Sequence, residues 1–425
     1  MDPSMTVRLR RPGTLPILRE GQPLNGRLRR LPPPSFRGRS APRRTTVGEL
    51  KLPRTNLTLP FRRRPPIDGL SDDLNAIASW NLDHAPARRL VRDAFKDLQL
   101  QLDHCLFKLA PVGIRKEEWY ERNSRGLMIF CKSWLPDPEV RIKGALFFSH
   151  GYGDTCTFFF EGIAEHLVGG GYAVYAIDHP GFGLSDGLHG YISNFDGLAD
   201  NVIEQYEKIK ERPEVRGLPC FLLGQSMGGA VALKVHLNRP YDWNGIVLVA
   251  PMCRIADDIK PPEAVIRSFN LMSRVMPTAK LYPAKDLSEL ALREPRKRDM
   301  AVYNVICYNK RMRLKTASEL LRATTNLERQ IGRVSSPLLI LHGAADKVTD
   351  PSCSRFLYEK ASSKDKTLRL YEDGYHCILE GEPDNRILTV LSDILGWLDA
   401  RSSPRESRPM SADGNPVLGK VWKGH

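Results

Sequence analysis

The sequence predicts an α/β chain: a mostly parallel central sheet with helices on both faces and a helical cap inserted at the sheet's ligand end. Two observations carry this. Short apolar runs, "ALFFSHG" (145–151), "YAVYAID" (172–178), "CFLLGQS" (220–226), "GIVLVAP" (245–251) and "PLLILHG" (337–343), each lead into Gly, Pro, Asp or Ser. They are separated by helical stretches, and continuous apolar strands in that setting belong to a sheet buried on both faces. The alternation then breaks once. Residues 253–334 contain helical patterns and five prolines but no strand-like run, and they form the predicted cap.

The strands begin with "LMIFCKSWL" (127–135), and a core domain is predicted over 114–400. Ahead of it, Val91, Phe95, Leu98, Leu102, Cys105 and Leu109 recur at steps of four and three. That is one apolar stripe on a helix over 86–109, docked on the core, within a helical N-terminal extension spanning 67–113. A disordered tail is expected over 401–425.

Charge separates the first segment from the rest. Residues 1–66 hold 16 of the 63 Lys and Arg and only 3 of the 49 Asp and Glu, together with 12 of the 32 prolines. The net charge of +14 therefore belongs almost entirely to this leader, and the remainder is nearly neutral. Without apolar periodicity the leader cannot bury enough surface to fold. Arg-rich, acid-poor N-termini also describe organelle transit peptides, so two readings stay open, a cleaved transit peptide and a disordered basic tail.

Several function classes are excluded. A neutral core, and arginines without interleaved aromatics, argue against a nucleic-acid partner. No apolar run reaches 18 residues, so no transmembrane helix is read. The eight cysteines are scattered without a Cys-x-x-Cys pair, which points to reduced thiols in an intracellular compartment. No cluster has metal-ligand spacing, so no metal is expected. "DHPGFGLSDG" (178–187) lacks both the dinucleotide-binding glycine spacing and a P-loop lysine. It reads as a tight loop beside the site, and no cofactor is expected.

In open α/β sheets ligands sit beyond the carboxyl ends of the strands, so the chemistry should follow the apolar runs. "GQSMGG" places Ser226 in a G-x-S-x-G motif between the strand "CFLLG" and the helical "AVALKVHL". Strand, sharp turn, helix is the setting of a nucleophile elbow, and the helix N-terminus favours developing negative charge. A serine nucleophile needs a base, and the base needs an acid to orient it. In the α/β-hydrolase fold their order is Ser, Asp or Glu, His. "LILHGAADKVTDP" offers Asp346 and Asp350, and "YHCILEGEP" offers His376. Asp346 lies in the first turn after its strand, whereas Asp350 precedes Pro351 and reads as a helix N-cap. The candidate triad is therefore Ser226, Asp346 and His376. Backbone N–H groups of Tyr152, in "SHGYGDT", and of Met227 are the candidate oxyanion donors. His150 precedes the nucleophile and reads as a residue that holds its loop.

These motifs together, "SHGYGD", "DHPGFGLSDG", "GQSMGGAVAL", "LVAPMC", "LHGAADKVTDP" and "YHCILEGEP", resemble the monoacylglycerol lipase family, in particular its plant branch. The likeness covers about residues 115–400. It implies Ser226, Asp346 and His376 as triad, Tyr152 and Met227 as oxyanion donors, a helical cap, no cofactor, and a monoacylglycerol or related lipid ester as substrate. A hydroxycinnamoyl (caffeoylshikimate-type) ester, a lysophospholipid and acyl transfer to an alcohol remain alternatives, as does a triad-bearing small-molecule receptor. The leader lies outside the likeness. A plastid address is the expectation for it, with a cytoplasmic or membrane-peripheral location as the alternative. In the cap, "EAVIRSFNLMSRVM" (263–276) is apolar on more than one side, which suits either a lid with peripheral membrane contact or a helix buried against the core.

Overall fold

A computed structural model describes residues 64–256, 262–281 and 288–402. Most of the leader and of the C-terminal tail lies outside the described residues, and so do two short pieces of the cap. The strands are β1 (Arg115–Arg122), β2 (Met128–Leu135), β3 (Gly144–Ser149), β4 (Tyr172–Ile177), β5 (Cys220–Gln225), β6 (Gly245–Val249), β7 (Leu338–Gly343) and β8 (Lys366–Tyr371). They form one sheet in the order β1-β2-β4-β3-β5-β6-β7-β8. The β1–β2 and β2–β4 pairs are antiparallel and the others parallel. The predicted α/β-hydrolase architecture, a mostly parallel sheet between helices, is the one observed.

The helices are α1 (Asp72–Ala78), α2 (Ala85–Leu100), α3 (Cys105–Lys108), α4 (Phe159–Gly169), α5 (Phe195–Lys210), α6 (Met227–Asn238), α7 (Glu263–Val275), α8 (Ser288–Ala291), α9 (Pro295–Ala301), α10 (Leu314–Gln330), α11 (Pro351–Lys360) and α12 (Asp384–Ser402). They explain the continuous apolar runs. Every residue of β3, β4, β5, β6 and β7 is buried. Alternate side chains point into two different cores. Ala145 and Phe147 pack with Val202 and Tyr206 of α5, Val231 of α6 and Leu357 of α11. Leu146 and Phe148 pack with Ile163 of α4, Val91 and Phe95 of α2, and Ile394 of α12.

Two expectations are corrected. The sheet starts at Arg115 rather than 127, because β1 ("RKEEWYER") is an edge strand whose charges pair instead of being buried. Glu118 faces Lys132 across the β1–β2 ladder and accepts from Lys132 Nζ at 2.7 Å and from Arg92 of α2 at 2.5 Å. The helix expected over 86–109 is two helices. The first ends at Leu100, and His104 caps the second, its Nδ1 accepting the Leu106 N–H at 3.2 Å. That local bond competes with continuing the helix. The first helix does dock on the core, with Val91 and Phe95 fully buried.

His104 also links this extension to the site region, since its Nε2 lies 2.9 Å from the Glu380 carbonyl. Burial pushes its pKa down to about 4, and does the same to His236 of α6. Both folded values lie below the ordinary imidazole value, so the neutral form stabilises the fold. That stability is complete above about pH 6.5 and is lost as pH falls toward 4, by up to about 3 kcal/mol per residue. Unfolding in urea across that window should show the loss. In His104→Gln the pH slope should fall by one proton's worth, about 1.4 kcal/mol per pH unit.

Between β6 and β7 the described chain is helical, comprising α7 to α10. The longest, α10, lies against α5 and α6 and carries α7. The Ser318 hydroxyl of α10 bonds Asn270 Oδ1 of α7 at 2.6 Å. Ile266, Phe269, Asn270 and Ser273 form the partly or fully buried side of α7. Its other side exposes Val265, Leu271, Met272 and Val275, the last at 74%. This helix is therefore not buried against the core.

Candidate active site

The functional candidates all lie at the carboxyl ends of the parallel strands. Ser226 stands between β5 and α6 with φ 54° and ψ −119°, a conformation that is costly for a residue bearing Cβ. Its neighbours hold it there. Its N–H bonds the Val249 carbonyl at 3.0 Å, and its carbonyl accepts from Gly229 and Met252, both at 2.9 Å. The flanking glycines are demanded by space. A Cβ at Gly224 would stand 2.4 Å from the Gly228 carbonyl oxygen, and one at Gly228 only 1.8 Å from the Ser149 carbonyl oxygen. Both obstacles are backbone and cannot swing aside. Gly228→Ala should accordingly cost about 3 kcal/mol or more of stability, seen as a collapsed melting temperature or no soluble protein.

Asp346 follows β7 and is buried. Its Oδ1 accepts the N–H groups of Val348 at 2.7 Å and Thr349 at 3.1 Å. Its Oδ2 accepts His376 Nδ1 at 2.7 Å and His342 Nε2 at 2.9 Å. Burial works to raise its pKa, but the hydrogen bonds from His342 and His376 override it and hold the carboxyl well below the usual carboxylate range. A carboxylate that stays ionised while gripping Nδ1 fixes the His376 tautomer and leaves Nε2 free to take a proton. Asp350 has a different role. Its side chain accepts the Ser352 N–H at 2.7 Å and caps α11.

The structure thus joins Asp346 and His376. Among the described residues Ser226 Oγ makes no hydrogen bond, which is common for catalytic pairs without substrate. The loop after β3 lies directly against the serine, since a Cβ on Gly151 would stand 3.4 Å from Ser226 Cβ. Tyr152 comes next, and among the described residues its N–H meets no protein acceptor. The Met227 N–H opens α6, where first-turn donors have no partner inside the helix. Two unspent donors beside Ser226 are what an oxyanion developing there would need. His150 Nδ1 lies 2.8 Å from the Gly151 carbonyl, and its Nε2 accepts the His179 N–H at 3.0 Å. It ties this loop to the glycine-rich one.

Two residues escaped the sequence reading. His342, fully buried at the end of β7, donates its Nε2–H to Asp346, and its Nδ1 accepts the Ser354 hydroxyl at 2.7 Å. Thr349 Oγ1 lies 2.9 Å from Asp346 Oδ2 and 3.1 Å from His376 Nδ1. A histidine in an otherwise apolar strand was the available signal for the first. Gln225, next to Ser226, donates to the buried Glu380 at 2.8 Å.

The family described as serine aminopeptidase, S33 (Hydrolase_4) matches residues 140–384. The caffeoylshikimate esterase of Arabidopsis thaliana is 36% identical over 68% of this chain and 87% of its own length. The monoglyceride lipase of Homo sapiens is 32% identical over 66% of this chain and 90% of its own. Among solved structures, a soluble variant of monoglyceride lipase from Saccharomyces cerevisiae superposes with a TM-score of 0.60 at 20% identity, covering 68% of this chain and 96% of that one. Fold, motif order and sequence similarity therefore agree, and the chain belongs to the serine aminopeptidase S33 (Hydrolase_4) family of α/β-hydrolases, among relatives that are esterases and lipases.

Proposed function

We propose that the chain hydrolyses monoacylglycerols or closely related acyl esters through an acyl-enzyme on Ser226. The observation that carries this reading is the ionised, buried Asp346 bonded to His376 Nδ1, set beyond the strained Ser226 turn. His376 takes the Ser226 proton as the hydroxyl oxygen attacks the ester carbonyl. The Tyr152 and Met227 N–H groups receive the oxyanion, and His376 then protonates the departing alcohol. Water, deprotonated by the same imidazole, releases the acid and restores the serine.

The apolar outer side of α7 supports a lipid ester and peripheral contact with a lipid surface. A second reading, a hydroxycinnamoyl ester, is favoured by the likeness to the plant esterase. Purified protein lacking residues 1–66 should be offered a monoacylglycerol, a lysophospholipid and a hydroxycinnamoyl ester. We expect kcat/KM to be highest on the monoacylglycerol. Preference for the hydroxycinnamoyl ester would establish the second reading. Ester product in place of free acid when an alcohol is added would mark an acyltransferase, and ligand binding without turnover a receptor.

For residues 1–66 we propose a plastid address with no part in catalysis. A fluorescent protein fused to them should enter plastids, whereas a fusion left diffuse in the cytosol defeats this reading.

A further inference from the structure

The family match begins at residue 140, yet the extension before it is tied into the seam between cap and core. Asp83 stands between α1 and α2. Its carboxylate accepts from Arg313 Nη2 at 2.8 Å and from Lys280 Nζ at 3.2 Å. Both cations belong to the segment between β6 and β7, one just after α7 and one capping α10. The side chains of Asp83 and Arg313 are 18% and 5% exposed, so solvent screens this pair little. Arg313 spends its other donors on the carbonyls of His189, at 2.9 Å, and Thr278, at 2.8 Å. The His189 N–H in turn bonds the Asp83 carbonyl at 3.1 Å.

The extension braces Asp83 from its own side as well. Arg88 of α2 is fully buried and donates to the Leu82 carbonyl at 2.9 Å and to the Gly183 and Ser185 carbonyls at 2.5 Å each. One guanidinium therefore holds both the turn that carries Asp83 and the glycine-rich loop. The seam continues toward the reacting atoms. His189 packs against Tyr308 with ring centroids 5.0 Å apart, and Tyr308 against Tyr152 at 6.0 Å. The Tyr308 N–H bonds the Gly153 carbonyl at 2.7 Å. Tyr152 carries one of the assigned oxyanion donors.

We propose that Asp83 is a positioning residue: by drawing Lys280 and Arg313 onto the N-terminal extension, it fixes the seat of the cap against the core beside the Tyr152 loop. The extension thereby sets how well large acyl groups are held, while the reaction at Ser226 proceeds without it. The charge logic is local. With the carboxylate gone, Arg313 and Lys280 face each other without the anion between them, and that side of the cap loses its attachment to the body. This proposal rests on the esterase reading above, so the test has one arm that depends on activity and one that does not.

In the full chain, Asp83→Asn should raise KM for a long-chain monoacylglycerol about 10-fold, with kcat on p-nitrophenyl acetate kept within about twofold. Asp83→Glu, which keeps the charge, should recover most of the lost KM. Equal loss on both substrates, or no recovery with glutamate, overturns the proposal. The second arm is amide hydrogen exchange. Asp83→Asn should speed exchange in residues 276–281 and 308–316 and leave 220–249 unchanged. A surface control, Glu207→Gln, should change neither region. If the wild type hydrolyses no ester, the esterase reading fails and the exchange arm still decides. Unchanged exchange over the cap, or equal change in the control, removes the positioning role.

Discussion

Replacing Ser226 by alanine should abolish ester hydrolysis, by about 10⁴–10⁶ in kcat, while leaving the protein folded. The size follows from what the hydroxyl does. Without it no acyl-enzyme forms and His376 has no serine hydroxyl to activate. Only binding and the oxyanion site can then assist attack by water. The fold should tolerate the change, because Ser226 Oγ makes no hydrogen bond among the described residues, and the turn is held by main-chain bonds of the same residue. A small gain or loss of stability is the most that alanine should bring, since a Cβ remains in the same positive-φ conformation. A fluorophosphonate probe should label wild type and not the variant, with equal melting temperatures for the two. Labelling at another serine would show that the nucleophile has been misassigned.

What was legible in the sequence follows from where a signal is local. The five central strands could be read because helices cover both faces, which forces an unbroken apolar run such as "FLL" or "LLIL". The nucleophile elbow could be read because strand, glycines and helix adjoin in sequence. The edge strand β1 could not. Glu118 and Lys132 are ordinary surface charges until the ladder sets them opposite one another. Nor could His342, whose meaning lies in sharing one carboxylate oxygen with His376, 34 positions on. Asp83 is the extreme case: an isolated acid in a connecting turn, it finds Arg313 only through 230 residues of folding. Periodicity and motif spacing report on neighbours along the chain, and these partners are neighbours only in space.

The choice of acid can be settled by a pair of substitutions at the two aspartates after β7. Asp346→Asn should lower kcat by about 10⁴, with KM little changed. The amide cannot hold a charged imidazolium, and it can present N–H where Nδ1–H now donates, which turns His376 into the wrong tautomer. His342 sharpens the expectation. It donates to the same Oδ2, so an asparagine either turns its NH2 toward both imidazole donors, or turns its oxygen to them and leaves the N–H groups of Val348 and Thr349 without an acceptor. The carboxylate's ionisation, held far below the usual range, also supports the fold: that stability is present above about pH 4 and is lost as pH falls below it. Asp346→Asn should remove this acid sensitivity. Asp350→Asn keeps a capping oxygen over Ser352 and should cost at most about 1 kcal/mol of helix stability with kcat nearly intact. Rates measured on both variants, after circular dichroism has shown them folded, decide the matter. A larger loss of kcat at Asp350 would mean that His376 is oriented by a different carboxylate from the one bonded to it in this structure.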